Sequence, residues 1–250
     1  MEMKTLVTGG TGRLGRELVK QFPDCLHPSS IEFDITSRVR VNSYFWWHNI
    51  GTVVHAAAKT SVQRCEEYRN EAYETNVVGT RNLVEVAQRE SPECYFVLVS
   101  TACVFKGDRG NYTEKDAPDP KNYYSLTKRK AEEIVENSGL SHLIVRTNFV
   151  AREPWPYPAA FIDRYGTYLY ADDVARAIKQ LVDQHMTGVV HVCGDKKMSM
   201  FELAKLTTPD VQPLTLKEYV ESQPHTAPLT VDMTLVSIRI PPFRISEAGS

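Results

Sequence analysis

The first fifteen residues constrain the fold more than any other part of the chain, because they join a short apolar strand to a glycine-rich turn and a helix. Gly9, Gly12 and Gly15 have the spacing G-x-x-G-x-x-G. Such a turn needs glycine for an unusual φ angle, for close approach of the backbone to a pyrophosphate, and for tight packing of helix on strand. Amides at the start of the helix then face the phosphates, and the helix dipole favours their negative charge. The pattern predicts a dinucleotide site.

The composition bounds the class of protein. The 250 residues are 42% hydrophobic and 24% charged, with a net charge of −2, so neither a general nucleic-acid role nor a membrane-surface role is favoured. No apolar run is long enough to span a membrane, and no signal peptide is visible. The five cysteines lack metal-ligand spacing, so we expect reduced thiols, a cytoplasmic protein and no metal site.

Strand and helix patterns alternate along the first 150 residues. This order predicts an α/β fold of the Rossmann type, a doubly wound parallel sheet with right-handed crossovers. The expected strands are Lys4–Thr8, Cys25–His27, Thr52–His55, Tyr95–Val99, Leu143–Val145 and Val189–Val192. The expected helices are Arg13–Phe22, Glu71–Arg89, Tyr123–Asn137, Asp172–Val182 and Phe201–Leu206.

The regular pattern weakens after Arg146. The prolines of Glu153–Pro158 exclude a helix or a central strand there, and the last forty residues indicate irregular or edge structure. We therefore expect residues 1–150, joined by 171–195, to form the dinucleotide-binding domain. Residues 151–170 and 196–250 would form a small irregular region that covers the substrate, because ligands of such sheets lie outside the carboxyl ends of the strands.

Two further motifs carry possible chemistry. Tyr124 and Lys128 form a Tyr-x-x-x-Lys pair, and residues four apart share one face of a helix. A nearby ammonium is expected to lower the pKa of the phenol, so that its hydroxyl can exchange a proton with a carbonyl or alcohol. The neighbouring Tyr123 lacks this spacing to the lysine. Ser100 and Thr101 follow an apolar strand, where a hydroxyl points toward the ligand crevice of a parallel sheet.

Together these motifs resemble those of the short-chain dehydrogenase/reductase superfamily, in its extended branch that acts on nucleotide sugars. The resemblance covers roughly residues 3 to 200 and is greatest to dTDP-4-dehydrorhamnose reductases. Its motifs are Thr8 to Gly15, Asp34-Ile35-Thr36, His55 to Ala58, Thr75 to Thr80, Ser100 to Gly107, Tyr112 to Pro118, Tyr124-x-x-x-Lys128 and Arg146-Thr147.

The resemblance implies a role for each matching residue. The catalytic set would be Thr101, Tyr124 and Lys128. The cofactor would be bound by Gly9, Thr11, Gly12, Arg13, Leu14, Gly15, Ser29, Asp34, Ile35, Ala56, Ala57, Ala58, Tyr124 and Lys128. The sugar nucleotide would lie near Thr60, Val62 and Thr101.

The cofactor expected from these residues is NADP, with NAD possible. The turn His27 to Ser30 carries no carboxylate to bind the ribose 2′-hydroxyl of NAD, and Arg13 and Arg16 can pair with a 2′-phosphate. The implied activity is NAD(P)H-dependent reduction of a nucleotide-linked 4-keto-6-deoxy sugar, in a homodimer. The adjacent Trp46 and Trp47 are expected to pack in the core or at a subunit interface.

Two departures from the family pattern leave alternatives open. Ala102 stands where those reductases often have an aspartate, as in epimerase-like relatives. The segment between Arg146 and Asp172 is shorter than the usual substrate-binding insertion, so the cover is reduced or comes from a partner subunit. One alternative is therefore a nucleotide-sugar 4-epimerase or dehydratase that retains NAD. The other is a non-catalytic regulatory subunit related to the β subunit of methionine adenosyltransferase.

Overall fold

A parallel five-stranded sheet forms the centre of the computed structural model, which describes residues 3–223 and 226–245. The strands are β1 Lys4–Thr8, β2 Ile50–His55, β3 Tyr95–Thr101, β4 His142–Thr147, β5 Phe149–Val150, β6 Ala159–Phe161, β7 Tyr165–Gly166, β8 Leu169–Tyr170, β9 Gly188–Val192, β10 Met198–Ser199 and β11 Gln212–Leu214. The helices are α1 Arg13–Gln21, α2 Arg38–Trp47, α3 Val62–Glu67, α4 Arg69–Tyr73, α5 Gly79–Glu90, α6 Tyr123–Glu136, α7 Ala171–Asp183, α8 Met200–Lys205 and α9 Leu216–Ser222.

The central sheet has the strand order β1-β2-β3-β4-β9, with every neighbouring pair parallel. One face packs against α1 and α7 through Leu14, Leu18, Val174 and Ile178. The opposite face packs against α2, α5 and α6. Helices on both faces of a parallel sheet confirm the predicted doubly wound fold.

Several expected elements differ from the structure. The strand expected over Cys25–His27 is wrong: only an isolated bridge joins Leu26 to Leu6 at the edge of the sheet. The expected helix over Glu71–Arg89 begins at Arg69 and contains a π-helical turn, Glu74–Val78. Helices α2, α3 and α9 were not predicted, because their apolar residues do not form long periodic stripes.

Trp46 and Trp47 at the end of α2 are not core residues, since they are 72% and 70% exposed. Packing in the core is therefore excluded, while the subunit interface stays a prediction. No helix within the described part of the chain is long and apolar enough to cross a membrane.

Small pairs of strands lie outside the central sheet, in the region expected to cover the substrate. Strand β6 pairs with β11 and strand β7 with β10. A minor apolar cluster, separate from the two main ones, joins Ala160, Ala204 and Val211, and Trp155 packs against it. The prolines around Trp155 leave 153–158 without helix or strand, as expected. Residues 246–250, which the sequence analysis placed in this region, lie outside the described residues.

The buried His55 links β1, β2 and the π-helical turn. Its Nδ1 lies 2.7 Å from the Thr8 hydroxyl and its Nε2 lies 3.0 Å from the Thr80 hydroxyl, which itself donates to the Asn76 carbonyl. We infer that Nε2 carries the proton and that Nδ1 accepts from Thr8. Burial and the charge of Lys128 lower the pKa of His55 to about 3, so the ring is neutral and structural.

The glycine turn brings α1 directly against the strand that precedes it. A Cβ atom at Gly15 would lie 1.9 Å from the Gly9 carbonyl oxygen, and one at Gly9 would lie 2.7 Å from the Ala57 nitrogen. Gly9 also has a φ of +74°. These two positions therefore need glycine for close packing and for backbone conformation.

We predict that Gly15→Ala lowers the free energy of unfolding by about 3 kcal/mol or more, because the added methyl group overlaps the backbone of the turn. The matched control is Gly139→Ala. Gly139 also sits in a turn, with a φ of +72°, but no atom lies within 4 Å of its added Cβ. That change should cost about 1 kcal/mol of backbone strain. Equal losses in urea denaturation would contradict the prediction.

Candidate active site

A cavity of about 430 Å³ lies beside the glycine turn, between the ends of β1 and β2. Of the residues predicted to bind a cofactor, the structure brings eight together in its wall: Gly9, Thr11, Gly12, Asp34, Ile35, Ala56, Ala57 and Ala58. Seven residues that were not predicted to bind the cofactor complete the wall: Thr8, Pro28, Ser30, Phe33, Thr36, Lys59 and Thr75. Gly12 begins α1 without a side-chain cap, so the first amides of the helix are not bound by a capping side chain. A glycine turn whose backbone a ligand can approach closely, followed by the start of a helix, suits the pyrophosphate of a dinucleotide.

The remaining predicted cofactor residues lie elsewhere. Leu14 and Gly15 are buried between α1 and the sheet. Arg13, with Arg16, lines a separate cavity of about 520 Å³ that also contains Arg152. The two arginines therefore do not share a wall with the predicted adenine residues, and their pairing with a 2′-phosphate stays a prediction.

Ser29 binds a carboxylate that the sequence analysis missed. Its amide and hydroxyl both donate to Glu32 Oε2 at 2.8 Å. These hydrogen bonds lower the pKa of Glu32, so the side chain is charged at neutral pH. Pro28, Ser30 and Phe33 around it line the 430 Å³ cavity. The turn at the edge of this cavity thus carries one acidic group, Glu32, two residues after Ser30.

Thr101, Tyr124 and Lys128 meet where β3 ends and α6 begins. Thr101 is the last residue of β3, and Tyr124 and Lys128 lie one turn apart on α6. All three are buried. The Thr101 hydroxyl accepts from the Cys103 amide at 3.2 Å, and the Lys128 Nζ donates to the Val99 carbonyl at 2.8 Å. Helix α6 is fixed at this end by its cap, in which Asn122 Oδ1 accepts from the Ser125 amide.

Burial moves the pKa values of the phenol and the ammonium in opposite directions. It raises the pKa of Tyr124 above its usual value, against a smaller opposite effect of the nearby Thr101 side chain. It lowers the pKa of Lys128 to about 8, against the nearby charge of Glu132. The expectation that the lysine lowers the pKa of the tyrosine is therefore not met in this structure, where burial has the largest effect on the phenol and raises its pKa. Tyr124 is a neutral phenol that can donate a proton.

Beneath this group lies a buried ion pair. Glu132, one turn after Lys128, accepts from Arg146 Nε at 2.9 Å and Arg146 Nη2 at 2.8 Å. It also accepts from the Ser100 hydroxyl at 2.5 Å and from Arg129 at 3.1 Å. These bonds lower the pKa of Glu132 despite its complete burial. The spacing of four from Lys128 could have revealed this carboxylate in the sequence.

Two of the predicted substrate residues, Thr60 and Val62, lie at the start of α3. Val62 packs in one cluster with Tyr124, Cys65 and Ala72, so the structure brings it to the catalytic group. Thr60 lines a cavity of about 230 Å³ beside α3. Ala102, the position of the missing aspartate, is completely buried. The next residue, Cys103, is half-buried and packs against the cluster that contains Tyr124, a contact that the sequence analysis did not anticipate.

The RmlD substrate binding domain family matches residues 3–154, which is more than half of the chain and includes both the glycine turn and the Tyr-x-x-x-Lys pair. The protein belongs to this family. The resemblance stated from the motifs is thereby confirmed.

Known relatives and structures agree with this assignment. A dTDP-4-dehydrorhamnose reductase of Aggregatibacter actinomycetemcomitans is 28% identical over 230 residues, covering 80% of this chain and 76% of the relative. The methionine adenosyltransferase 2 subunit beta of Bos taurus is 25% identical over 288 residues, covering 97% and 85%. The crystal structure of dTDP-4-dehydrorhamnose reductase from Bacillus anthracis in complex with NADP superposes with a TM-score of 0.84 at 25% identity, covering 94% and 91%.

We predict that Glu132→Gln lowers the free energy of unfolding by about 3–5 kcal/mol, because it leaves the buried Arg146 charge without its partner. The matched control is the adjacent Glu133→Gln. Glu133 pairs with Arg129 at 3.2 Å but is 49% exposed, so its loss should cost about 0–1 kcal/mol. Chemical denaturation of the two variants measures the difference, and similar losses would show that the buried pair contributes no more than a surface one.

Proposed function

We propose that this protein is an NAD(P)H-dependent reductase of a nucleotide-linked 4-keto-6-deoxy sugar. The observation that carries the proposal is the meeting of Thr101, Tyr124 and Lys128 at the carboxyl end of β3, in a chain of this family. The name of the Aggregatibacter relative specifies the reaction, reduction of a 4-dehydro sugar bound to dTDP.

NADP is the proposed cofactor, with NAD possible. The glycines at positions 9 and 15, the uncapped start of α1 and the 430 Å³ cavity fit a dinucleotide. The Bacillus anthracis structure was solved with NADP. We assign the pyrophosphate to the amides around Gly12 and the adenine to Asp34 and Ile35. When bound, the reduced nicotinamide supplies the hydride that the keto carbon of the sugar receives.

Tyr124 supplies the proton of the reaction. Negative charge develops on the keto oxygen of the sugar as its carbon is reduced, and the neutral phenol is placed to donate its proton there. The Thr101 hydroxyl, which accepts from the Cys103 amide, donates its own hydrogen to the substrate oxygen and so orients the transfer. Since these donors are fixed by buried elements, they need little rearrangement to stabilise the developing charge.

Lys128 stabilises the charge that the proton transfer leaves on Tyr124. With a pKa of about 8, its ammonium is mainly protonated at pH 7. Its bond to the Val99 carbonyl fixes Nζ at the end of β3, within the same buried group as the phenol. A fixed positive charge lowers the free energy of the phenolate form, which burial alone disfavours.

We place the sugar nucleotide along Val62 and Thr60, because Val62 packs with Tyr124 and Thr60 lines the 230 Å³ cavity beside α3. We further propose a cytoplasmic homodimer. The exposed Trp46 and Trp47 form an edge-to-face pair with ring centroids 4.8 Å apart, a surface suited to a subunit contact. Measurement of the molar mass in solution tests this assignment.

The methionine adenosyltransferase relative supports a second candidate, a non-catalytic regulatory subunit, since it matches 97% of this chain. A stable complex with another protein and no reductase activity would favour that role. Tightly bound NAD without net consumption of reduced cofactor would instead favour an epimerase or dehydratase. Net oxidation of NADPH with a nucleotide 4-keto-6-deoxy sugar supports the reductase.

We predict that Tyr124→Phe lowers kcat by about 100-fold or more, because the variant has no proton donor for the keto oxygen. The affinity for NADPH should change little. The matched control is Tyr123→Phe, the adjacent phenol, which should retain wild-type turnover. Loss of reduced-nicotinamide absorbance measures turnover, and fluorescence titration measures cofactor binding. Turnover of Tyr124→Phe at the wild-type rate would remove this residue from the mechanism.

We predict that kcat/KM falls as pH rises through about 8, because Lys128 loses its proton there. The sign follows from the role of the charge: the ammonium is present below this pKa and absent above it. Lys128→Arg is the informative variant, since a guanidinium stays charged to pH 12. Its activity should be lower at neutral pH but should lack the alkaline decline. An unchanged decline in Lys128→Arg would assign it to another group.

A further inference from the structure

Tyr168 carries a buried phenol that the proposed mechanism does not use. The residue lies between β7 and β8 and is only 5% exposed. Its hydroxyl has no hydrogen-bond partner among residues 3–223 and 226–245. Buried polar groups without a partner destabilise a folded protein, and those that persist call for a specific explanation, such as a ligand that completes the bond.

The surrounding backbone is shaped around this ring. A Cβ atom at Gly166 would lie 2.7 Å from the ring carbon that bears the hydroxyl. A Cβ atom at Gly194 would lie 2.5 Å from the Tyr168 carbonyl oxygen. The Gly194 amide donates to the Thr167 carbonyl at 3.0 Å, and the Leu169 amide donates to the Asn148 carbonyl at 3.1 Å. The ring therefore packs against Gly166, and hydrogen bonds fix the backbone on both sides of Tyr168.

The same phenol belongs to the neighbourhood of the catalytic group. Cys103 packs against Tyr124, and its sulfur lies 3.3 Å from that of Met233. The backbone of Met233 is hydrogen-bonded to Asn148 and to Tyr165, so the segment that carries Tyr168 returns to the carboxyl ends of β3 and β4. Thr147, the neighbour of Thr101 in the sheet register, has a second buried hydroxyl without a partner among the described residues. Two unpaired hydroxyls therefore lie on segments that meet where the keto sugar is proposed to bind.

The charged groups near Tyr168 do not take up its hydroxyl. Arg164 Nε donates to the Thr230 carbonyl at 2.7 Å, and Arg164 Nη2 donates to the Thr230 hydroxyl at 3.3 Å. Asp232 accepts from Lys197 and from the Thr234 hydroxyl. Both side chains are bound to other partners, and burial keeps the phenol neutral. A neutral phenol both donates and accepts, which suits a sugar hydroxyl better than a phosphate.

From these observations we infer that Tyr168 is a substrate-binding residue whose hydroxyl bonds to a ring hydroxyl of the sugar next to the keto carbon. The inference rests on the proposed reductase function. It assigns selectivity for the sugar to a segment, residues 165–170, that lies outside the matched family region. A site that binds a hydroxyl in this way discriminates against sugars that lack it, because the buried phenol then stays unpaired.

The test is Tyr168→Phe, which removes only the hydroxyl. We expect kcat/KM for the nucleotide 4-keto-6-deoxy sugar to fall about tenfold, with the KM for NADPH unchanged. The melting temperature should stay the same or rise, because a buried unpaired group is removed. With substrate analogues that each lack one ring hydroxyl, the two proteins should become equal for the analogue that lacks the partner of Tyr168.

The matched control is Tyr95→Phe. Tyr95 is another buried phenol, at the opposite end of β3, and its hydroxyl donates to the Met186 carbonyl. Its loss should lower the melting temperature by about 2–4 °C and leave kcat/KM unchanged.

The outcomes separate the two proposals. Wild-type protein that oxidises no NADPH with these sugars would refute the reductase function and the inference together. An active wild type with an equally active Tyr168→Phe would refute the inference alone, as would a tenfold loss that persists with every analogue. A loss confined to the hydroxyl-bearing sugars supports both proposals.

Discussion

One buried carboxylate, that of Glu132 on α6, joins the carboxyl ends of β3 and β4 to this helix through hydrogen bonds. Glu132 on α6 accepts from Ser100 on β3 and from Arg146 on β4, while Arg129 binds it from within its own helix. Ser100 precedes Thr101, and Lys128 lies one turn before Glu132. The positions of Thr101, Tyr124 and Lys128 therefore depend on a network of hydrogen bonds that includes none of the three. Two of the donors are charged arginines, and the hydrogen bond from Ser100 is only 2.5 Å long. The network therefore resists the local opening that would separate β3 from α6.

The same burial that makes this network strong also sets the resting protonation states. A phenol and an ammonium placed among apolar side chains are both driven toward their neutral forms, since each loses the water that stabilises its charge. For Tyr124 the result is a proton donor, which reduction of a ketone needs. For Lys128 the result is an ammonium whose charge is retained at neutral pH only by a small margin. In the proposed reaction the lysine therefore matters most after the proton has moved, when Tyr124 is a phenolate.

The sequence predicted those parts of the molecule that depend on local chemistry. The glycine spacing, the apolar strands and the Tyr-x-x-x-Lys pair each act within about ten residues, so their geometry follows from the backbone. Leu26 shows the limit: the strand expected over Cys25–His27 is a single bridge to Leu6 at the edge of the sheet, which depends on contacts distant in sequence. Met233 and Cys103 could not be paired from the sequence, because 130 positions separate them and irregular segments set their contact.

The short segment after Arg146 is supplemented by residues 228–235 from the C-terminal part of the chain. Lys121 donates to the Leu229 carbonyl, and Asn122 donates to the Pro228 carbonyl. Met233 then places its sulfur 3.3 Å from that of Cys103. Side chains fix the segment as well, since the Thr230 hydroxyl accepts from Arg164 and Asp232 accepts from Lys197. The proposed cover of the site therefore needs no residue from a partner subunit.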